Sequence, residues 1–580
     1  MQSEIKIGDK IENSGKWIWN FKENGNSLGY QICNQFGIKV VFQAIEFGWD
    51  MFEGNDYRSH WIANNEIDGN KFLGDFCDTS IREKLCIDWY LSADNTTTSS
   101  AQPCPPTSEK AAVDLRFIPK TNLSTSFYHF GEDICFQSIA PLENGEEQGC
   151  CYKAGNIDCS FSGGHSQSSH PNNPFKHFSN DILPWILCCY EKDEGICGRY
   201  NDKRLCDSGV NYIPPGIALG IGDPHFHTFD DFFYTFNGFG EFWILENSTS
   251  QPLAVQARME PLNVASQKAT IFSGFVFSAP NSAKIQIQKS LIRIVDIFID
   301  GQQLDITSPN SLKQFSINGW QLNVAEDYTE IQIGTNRGFS FKITSFKGAF
   351  GILVLASPEW KSKTAGLFGN FNGNKSDDLT SKNGTILDPN SSLQEIHENF
   401  GLSWAVTPQT SLFTYFGGKN FADFNNLNFT PTFSFNTSAV SNSVQDICKN
   451  DWSCLFDYFY TSNLDLANFT LISNQNYENT INILNKNIQM CPILIPPENG
   501  YLKLSNYFKD SKANFGCFTN YTLSKTASFT SHTSSNESFD RVKKEMARKN
   551  DSLIKMEGQK DNKMTLGALG VLYYKQCYQC

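Results

Sequence analysis

The sequence predicts a mostly β, multidomain protein of extracellular type, with disulfides concentrated in its first third. Three observations carry this reading. The 18 cysteines are crowded: Cys33 is followed by eleven between Cys77 and Cys206, and none comes again until Cys448. Residues 213–404 contain no cysteine and alternate apolar and polar residues with a period of two, the pattern of half-buried strands. Composition is that of a folded chain, 40% hydrophobic and 19% charged. At about 100–200 residues per domain, 580 residues correspond to about three to five modules.

Charge narrows the partners. With 47 basic and 61 acidic residues the net charge is -14, which disfavours nucleic acid or an anionic membrane as a partner. No apolar run reaches the roughly 18 residues of a membrane span, and the opening MQSEIKIGDK lacks the apolar centre of a signal peptide. A cysteine cluster of this density belongs to an oxidising compartment. The expectation is therefore an extracellular or cell-surface chain, single-pass at full length. Its signal peptide and membrane span are absent from this sequence, and it meets the membrane only through that missing segment. The alternative is an isoform with unpaired thiols that never enters the secretory route.

Residues 1–68 read as the β-rich end of an upstream domain, with β-branched residues from Ile38 to Ile45 and aromatics at Phe47, Trp49, Phe52 and Trp61. Residues 69–212 hold the cysteine cluster, including the adjacent pairs Cys150-Cys151 and Cys188-Cys189. Successive side chains in extended backbone point apart, so each pair ties its segment to two different neighbours. A loop-rich module with a small core and at least five bridges before residue 207 is expected. Zinc on these cysteines, with His165, His170 and His177, is the rival, but the stretch lacks Cys-x-x-Cys spacing.

Residues 213–404 must fold by burial alone. Phe315 and Ile317, the turn Asn318-Gly319, then Trp320, Leu322 and Val324 predict a hairpin. Ile331 and Ile333, the turn 336–338, then Phe339, Phe341 and Ile343 predict a second, and Ile285, Ile287, Ile292 and Ile294 supply further alternation. Ser392 and Glu395 form a capping-box signal for a short helix with Leu393, Ile396 and Phe400 on one face and Gly401 as its stop. Residues 405–488 form a further module in which Cys448 and Cys454 are near enough for a small loop; Cys206 to Cys448 is the other pairing considered. Residues 524–580 are a polar, charged tail, and its apolar stretch 566–574 is too short to span a membrane.

The segment GIGDPHFHTFDDFFYTFNGFGEF, from Gly220 to Phe242, resembles the start of a von Willebrand factor type D domain. Further on, TAGLFGNFNGNKSDDLTSKNGT from Thr364 is similar to that domain's second signature. Gly240 and Phe368 stand where the family commonly has cysteines, so its usual internal disulfide is absent. Upstream, Trp89, Pro103-Cys104-Pro105, Asp114, Cys135-Phe136, Cys150-Cys151-Tyr152, Asp181, Pro184 and Cys188-Cys189 resemble an AMOP domain, Cys197 and Cys206 continue the match into the type D domain, and Cys86 is expected to be bridged as well. Cys491-Pro492, Pro497 to Gly500 and Phe515-Gly516-Cys517 resemble the first half of a sushi domain, without the tryptophan that should follow. The resemblance implies a mosaic of an AMOP module (69–212), an antiparallel-β type D domain (213–404), a post-type-D module (405–488) and a partial sushi module (491–523).

Two motifs carry chemistry. Asn370, Asn372, Asn374, Asp377 and Asp378 present hard oxygen donors at short spacing, the ligand type calcium takes. The family resemblance implies calcium here and adds Asp230; the bland reading is a polar Asn-Gly turn. In Asp223-Pro224 the carboxyl can attack its own carbonyl while the basic proline nitrogen leaves, with His225 or His227 supplying a proton. The resemblance implies self-cleavage at this Gly-Asp-Pro-His sequence; the bland reading is a turn that starts a strand.

Twelve Asn-x-Ser/Thr sequons, Asn374 among them, permit glycosylation, yet a chain this rich in Asn, Ser and Thr carries many by chance. Three classes compete for the function. An adhesion or interaction protein of the cell surface, with unidentified extracellular partners, fits best. A secreted mucin-like or matrix component is the alternative, although residues 207–447 lack the cysteines that would link subunits. An enzyme is disfavoured, because no Gly-x-Ser-x-Gly, His-Glu-x-x-His or phosphate loop occurs.

Overall fold

The computed structural model describes residues 79–93, 102–120, 133–141, 146–159, 183–189, 194–204, 206–247, 253–262, 269–290, 294–306 and 313–491. Shorter described stretches are 41–42, 57–58, 166–167, 494, 500–504, 506–508, 511–517, 522–523, 528–530 and 565–566. Most of the regions 1–68 and 524–580 therefore lies outside the described residues, as do Cys33, Cys77, His165, His170, His177, Cys577, Cys580 and Ile292.

The cysteine-rich module is built from helices α1 (Thr79–Ser92), α2 (Ser108–Val113), α3 (Leu183–Cys189) and α4 (Glu194–Lys203). A small sheet completes it: β1 (Phe117–Pro119), β2 (Ile134–Ser138) and β3 (Glu147–Lys153), all antiparallel. Among the described residues its bridges are Cys86–Cys188, Cys104–Cys150, Cys135–Cys151, Cys159–Cys206 and Cys189–Cys197. Each adjacent pair thus reaches two partners. Cys188 fastens α1 to α3 and Cys189 fastens α3 to α4, while Cys150 and Cys151 sit on β3 and point to opposite sides. The module is less loop-rich than its cysteine density suggests, because the bridges staple helices rather than replace them.

Residues 216–365 form one antiparallel sheet system. β4 (Gly216–Ile221) leads through a tight turn into β5 (His225–His227), which pairs with β6 (Phe233–Thr235). β7 (Gly240–Asn247), β8 (Ala254–Pro261), β9 (Thr270–Ser278), β10 (Ile285–Lys289) and β11 (Val295–Ile299) follow as an antiparallel meander. β12 (Gln314–Ile317), β13 (Trp320–Val324), β14 (Glu330–Gly334), β15 (Phe339–Phe346) and β16 (Ala349–Ala356) form a second meander, and β16 closes the system by pairing with β4 and β9. The predicted hairpins appear at their turns, where Gly319 and Gly338 have φ of 81° and 79°. Ile294 is a correction: it is exposed, and β11 begins one residue later at Val295.

The core is aromatic. Phe226, Phe272, Phe275, Phe339, Phe341 and Phe350 are fully buried in one cluster. Phe368 lies in that cluster with its ring 5.8 Å from Phe226, so packed aromatic surface occupies a position where a disulfide could stand. The short helix Leu393–Glu395 has its capping box at Ser392 and Glu395. Gly401 does not end it. The chain winds on through Trp404 with Gly401 at φ -57°, an ordinary helical value. Its missing Cβ serves close approach instead: a Cβ there would come within 2.1 Å of the Phe236 ring.

Residues 442–485 are helical, which the Phe- and Asn-rich composition did not suggest. α5 (Asn442–Cys448), α6 (Trp452–Thr461) and α7 (Leu464–Asn485) pack together around the Cys448–Cys454 bridge. Cys206 pairs with Cys159, so the alternative Cys206–Cys448 pairing does not form. Beyond this module, β17 (Gly500–Leu504) and β18 (Lys512–Cys517), within the stretch read as a partial sushi module, make a small antiparallel sheet with β19 (Ser528–Thr530), which lies in the stretch read as a tail.

The cysteine-rich module contacts both neighbours. Arg116, buried and paired with Asp114 at 2.7 Å, donates to Ser357 Oγ at 3.2 Å, and Gln332 Nε2 donates to Leu115 O at 2.9 Å. Lys110 Nζ donates to Leu484 O at 2.6 Å, a cation placed at the C-terminal end of α7.

Gly401→Ala separates the two readings of that glycine. Overpacking against Phe236 should lower stability by about 1–3 kcal/mol, read as a fall in melting temperature. A rise would mean that the contact yields and helix propensity decides.

Candidate functional site

The scissile candidate sits where two modules meet. The turn 222–224 joins β4 to β5, and Asp223 is fully buried. Gly222 has φ 68°, and a Cβ on it would lie 2.4 Å from both Asp457 Oδ2 and Thr470 Oγ1. Glycine is needed there because the helical module presses directly onto the turn.

The helix facing the turn is α6. It starts at Asp451, whose side chain accepts from Cys454 N, and stops at Ser462 in the left-handed region. This registry places Asp457 on its buried face. Asp457 Oδ1 accepts from Asp223 N–H at 3.2 Å and meets His225 Nε2 at 2.8 Å, and Oδ2 accepts from Thr470 Oγ1 at 2.5 Å. His225 Nδ1 meets Thr235 Oγ1 at 2.7 Å. An ionised Asp457 can only accept, so Nε2 carries the proton toward it. The His225 ring is boxed edge-on by Trp452 and Phe456 of α6 and stacked on Phe233.

Neither carboxyl oxygen of Asp223 has a hydrogen bond of normal geometry. Burial, reinforced by the nearby Asp457 carboxylate, holds its pKa well above the carboxylate range; Asn237 and Thr270 N–H lie beside it and oppose the rise. The protonated form of the carboxyl is thereby favoured. His227 differs from His225. Burial pushes its pKa down to about 4, and its ring packs on Phe233 and Tyr477. That shift disfavours the protonated ring that the expected donor role would need. A cavity of about 10 Å³, the space of about one water, is lined by Thr235, Asn237, His397 and Phe456 among others.

The polar loop forms the second candidate. Asp230 accepts from Asn372 N–H and Gly373 N–H at 2.8 and 2.9 Å, which brings it to the loop across 142 residues of chain. The side-chain amides of Asn370, Asn372 and Asn374 donate to Asp377 at 2.9 to 3.2 Å. Asp378 accepts from Thr228 Oγ1 at 2.6 Å and from Asn370 N–H at 3.3 Å. Burial pushes Asp378 up to about 6, against the Thr228 hydrogen bond and with help from Asp230 and Asp377. Against some desolvation, the three Asn amides hold Asp377 below its usual value.

All six residues read as ligands thus converge. Among the described residues no three acidic, histidine or cysteine side chains stand in metal-ligating geometry, so amide and carbonyl oxygens would have to share the shell. One amide oxygen is suited to it: Asn370 Oδ1 is buried without a partner. Asn372 Oδ1 and Asn374 Oδ1 accept from the N–H groups of Asn374 and Ser376, so those two amides would have to give up these bonds to turn their oxygens toward a cation beside Asp377. In number and hardness the donors fit calcium.

Asp457, Thr235 and Thr470 carried no local signal in the sequence. They lie on other elements, and only the fold joins them to Asp223. Of the asparagines in Asn-x-Ser/Thr sequons, Asn247 is buried, which leaves no room for a glycan, whereas Asn374 is exposed.

Comparison with known proteins supplies the wider setting. Residues 81–213 match the AMOP domain model, 218–385 the von Willebrand factor type D domain, and 434–483 the Mucin-4-like C8-3 domain. The chain is 29% identical to Protein mesh of Bombyx mori over 72% of its own length and 30% of that protein's. It is 29% identical to Sushi domain-containing protein 2 of Homo sapiens over 69% of its length and 51% of that protein's. It is 26% identical to human Mucin-4 over 61% of its length and 7% of that protein's. The chain thus spans about half or less of these relatives. Its AMOP and type D domains and its relatives are of the extracellular adhesion and mucin type. Among the described residues no helix is long and apolar enough to cross a membrane.

His227 should shape the acid response of the fold. With its pKa lowered from 6.5 to about 4, the unfolded chain binds the extra proton between these values, so stability falls as pH drops through that window. In His227→Phe this fall should be weaker by on the order of 3 kcal/mol, measured by denaturant titrations at pH 7 and pH 4. An unchanged slope would contradict the assignment.

Proposed function

We propose that this chain is part of an extracellular, cell-surface adhesion or interaction protein whose type D domain binds calcium and whose backbone cuts itself between Asp223 and Pro224. It acts on no external substrate. The observation that carries the cleavage reading is the fully buried carboxyl of Asp223, without a hydrogen bond of normal geometry, in a turn packed under α6.

The chemistry follows from that carboxyl. Its carbonyl oxygen attacks the main-chain carbonyl carbon of Asp223, closing a five-membered anhydride. The bond to Pro224 nitrogen breaks, and the proton of the carboxyl ends on that nitrogen, which leaves as a secondary amine. Water then opens the anhydride to a C-terminal aspartic acid. The small cavity beside Thr235 and Asn237 has room for such a molecule. Holding the attacking group in the protein interior replaces diffusion by proximity. His225, clamped through both ring nitrogens, anchors the leaving side of the bond.

The products, 1–223 and 224–580, would remain together. β4 belongs to the first product yet stays hydrogen-bonded to β16 in the second, and Ile217, Leu219 and Ile221 pack with Leu355, Tyr477 and Leu484. No bridge among the described residues crosses the cut.

Calcium would be held by Asp230, Asn370, Asn372, Asn374, Asp377 and Asp378. It would supply positive charge to three neighbouring carboxylates. A secreted mucin-like component is the second reading, favoured by the match to the Mucin-4-like C8-3 domain.

Two outcomes test these readings. At about 100 times its dissociation constant, calcium should stabilise the type D domain by about 2.7 kcal/mol, and Asp377→Ala with Asp378→Ala should remove the shift. Equal melting temperatures in calcium and in chelator would contradict the site. At mildly acidic pH, purified protein should be cut at Asp223-Pro224 without a protease. The pieces should co-elute natively and separate in denaturant, whereas Asp223→Ala should stay whole. An intact wild-type chain would leave the segment an ordinary turn.

A further inference from the structure

We infer that Asp457, on a helix of the C8-3-like module 234 residues beyond the cut, is a positioning residue for the Asp223-Pro224 cleavage, so that the type D domain depends on its neighbour to assemble the site. This rests on the self-cleavage reading.

The geometry is specific. One carboxylate oxygen of Asp457 accepts from the N–H of the residue to be cut and from the ring of the residue after the leaving proline. It thus spans the scissile bond from both sides. The other oxygen is fixed by Thr470 on α7, so two helices of the same module hold it. All of Asp223, His225, Asp457 and Thr470 are fully buried. Gly222 is the complementary feature on the turn: any side chain there would strike Asp457 and Thr470.

A buried carboxylate without a full set of partners is expensive, so a single well-paired one marks a site whose arrangement matters. Asp457 acts in two ways. It holds the turn, through the Asp223 N–H, in the conformation in which Asp223 is fully buried. Its negative charge also keeps the Asp223 proton in place, the proton that the proline nitrogen needs to leave. The titratable groups around Asp223 are Asp457 and Tyr460 on α6 and His225 on β5; Asn237, Thr270 and Thr470 add uncharged ones. Tyr460 donates to Ser434 O, so Asp457 is the nearby group able to exert this effect as an anion.

The test compares cleavage rates of the full chain, wild type against Asp457→Asn, across pH 4 to 8. Asn keeps the size and an accepting oxygen but removes the charge. The expected result is cleavage about ten- to a hundredfold slower, with the limb on which cleavage fails at rising pH displaced toward lower pH. A merely structural role would lower the rate equally at every pH. Melting temperature and the Cys448–Cys454 bridge report whether the module is folded. Should Asp457→Asn unfold it, Thr470→Val decides: it only frees one oxygen of Asp457 and should slow cleavage severalfold in a folded chain. Wild-type rates in a folded Asp457→Asn, or in Thr470→Val when the first is unfolded, overturn the inference. A uniform loss at all pH does so as well. A wild-type chain that is never cut refutes the cleavage reading itself, a separate outcome.

Discussion

The carboxylate of Asp457 is where the type D sheet and the helical module become one structure. It is fully buried, and burying an unpartnered anion costs several kcal/mol. Its contacts therefore have to be complete, and they come from three elements: the 222–224 turn, β5 and α7. Several surrounding features follow from this. Position 222 must be glycine to admit the carboxylate. Asp451 must start α6 in the register that turns Asp457 inward. Trp452 and Phe456 must close over His225 to exclude water.

Different means hold the modules together. Among its described residues the AMOP region has small apolar clusters, and five bridges fasten its helices and short strands, as small cores usually require. The type D domain has no cysteine and relies on a continuous aromatic core under its antiparallel strands. That contrast bears on the cut. A chain severed at 223 keeps its first piece through strand pairing, apolar packing and a few hydrogen bonds, because the bridges among the described residues all lie on one side or the other. An adhesion protein built so would be two polypeptides held by a sheet, a junction that force could open without breaking a covalent bond.

Much of the fold was legible in the residues. Strict alternation with Asn-Gly and Gly turns announced the β12–β13 and β14–β15 hairpins, since a period of two and a positive-φ turn are local properties. Adjacent cysteines announced the branching of the bridges for the same reason. Gly401 was misread because a glycine after a helical pattern looks like a stop, and only tertiary packing shows that it makes room for Phe236. The helices at 442–485 were missed because their Asn- and Phe-rich sequence has weak helical propensity, and caps at Asp451 and Asn463 plus burial against the sheet supply what propensity does not. The site divides likewise. Asp223, Pro224, His225 and the Asn-Asp loop are contiguous motifs. Asp457 and Thr470 are single polar residues far along the chain, and no spacing rule connects them to the turn.

The most direct test of this account is amide hydrogen exchange in the uncut Asp223→Ala chain, resolved to the peptide that spans the 222–225 turn. If Asp457 couples turn and module, the turn should be protected and should open together with α6, at the same rate and with the same denaturant dependence. An exposed turn would exchange within the dead time of the measurement. Protection shared with α6 is the predicted result; rapid exchange of the turn beside a protected α6 would contradict it.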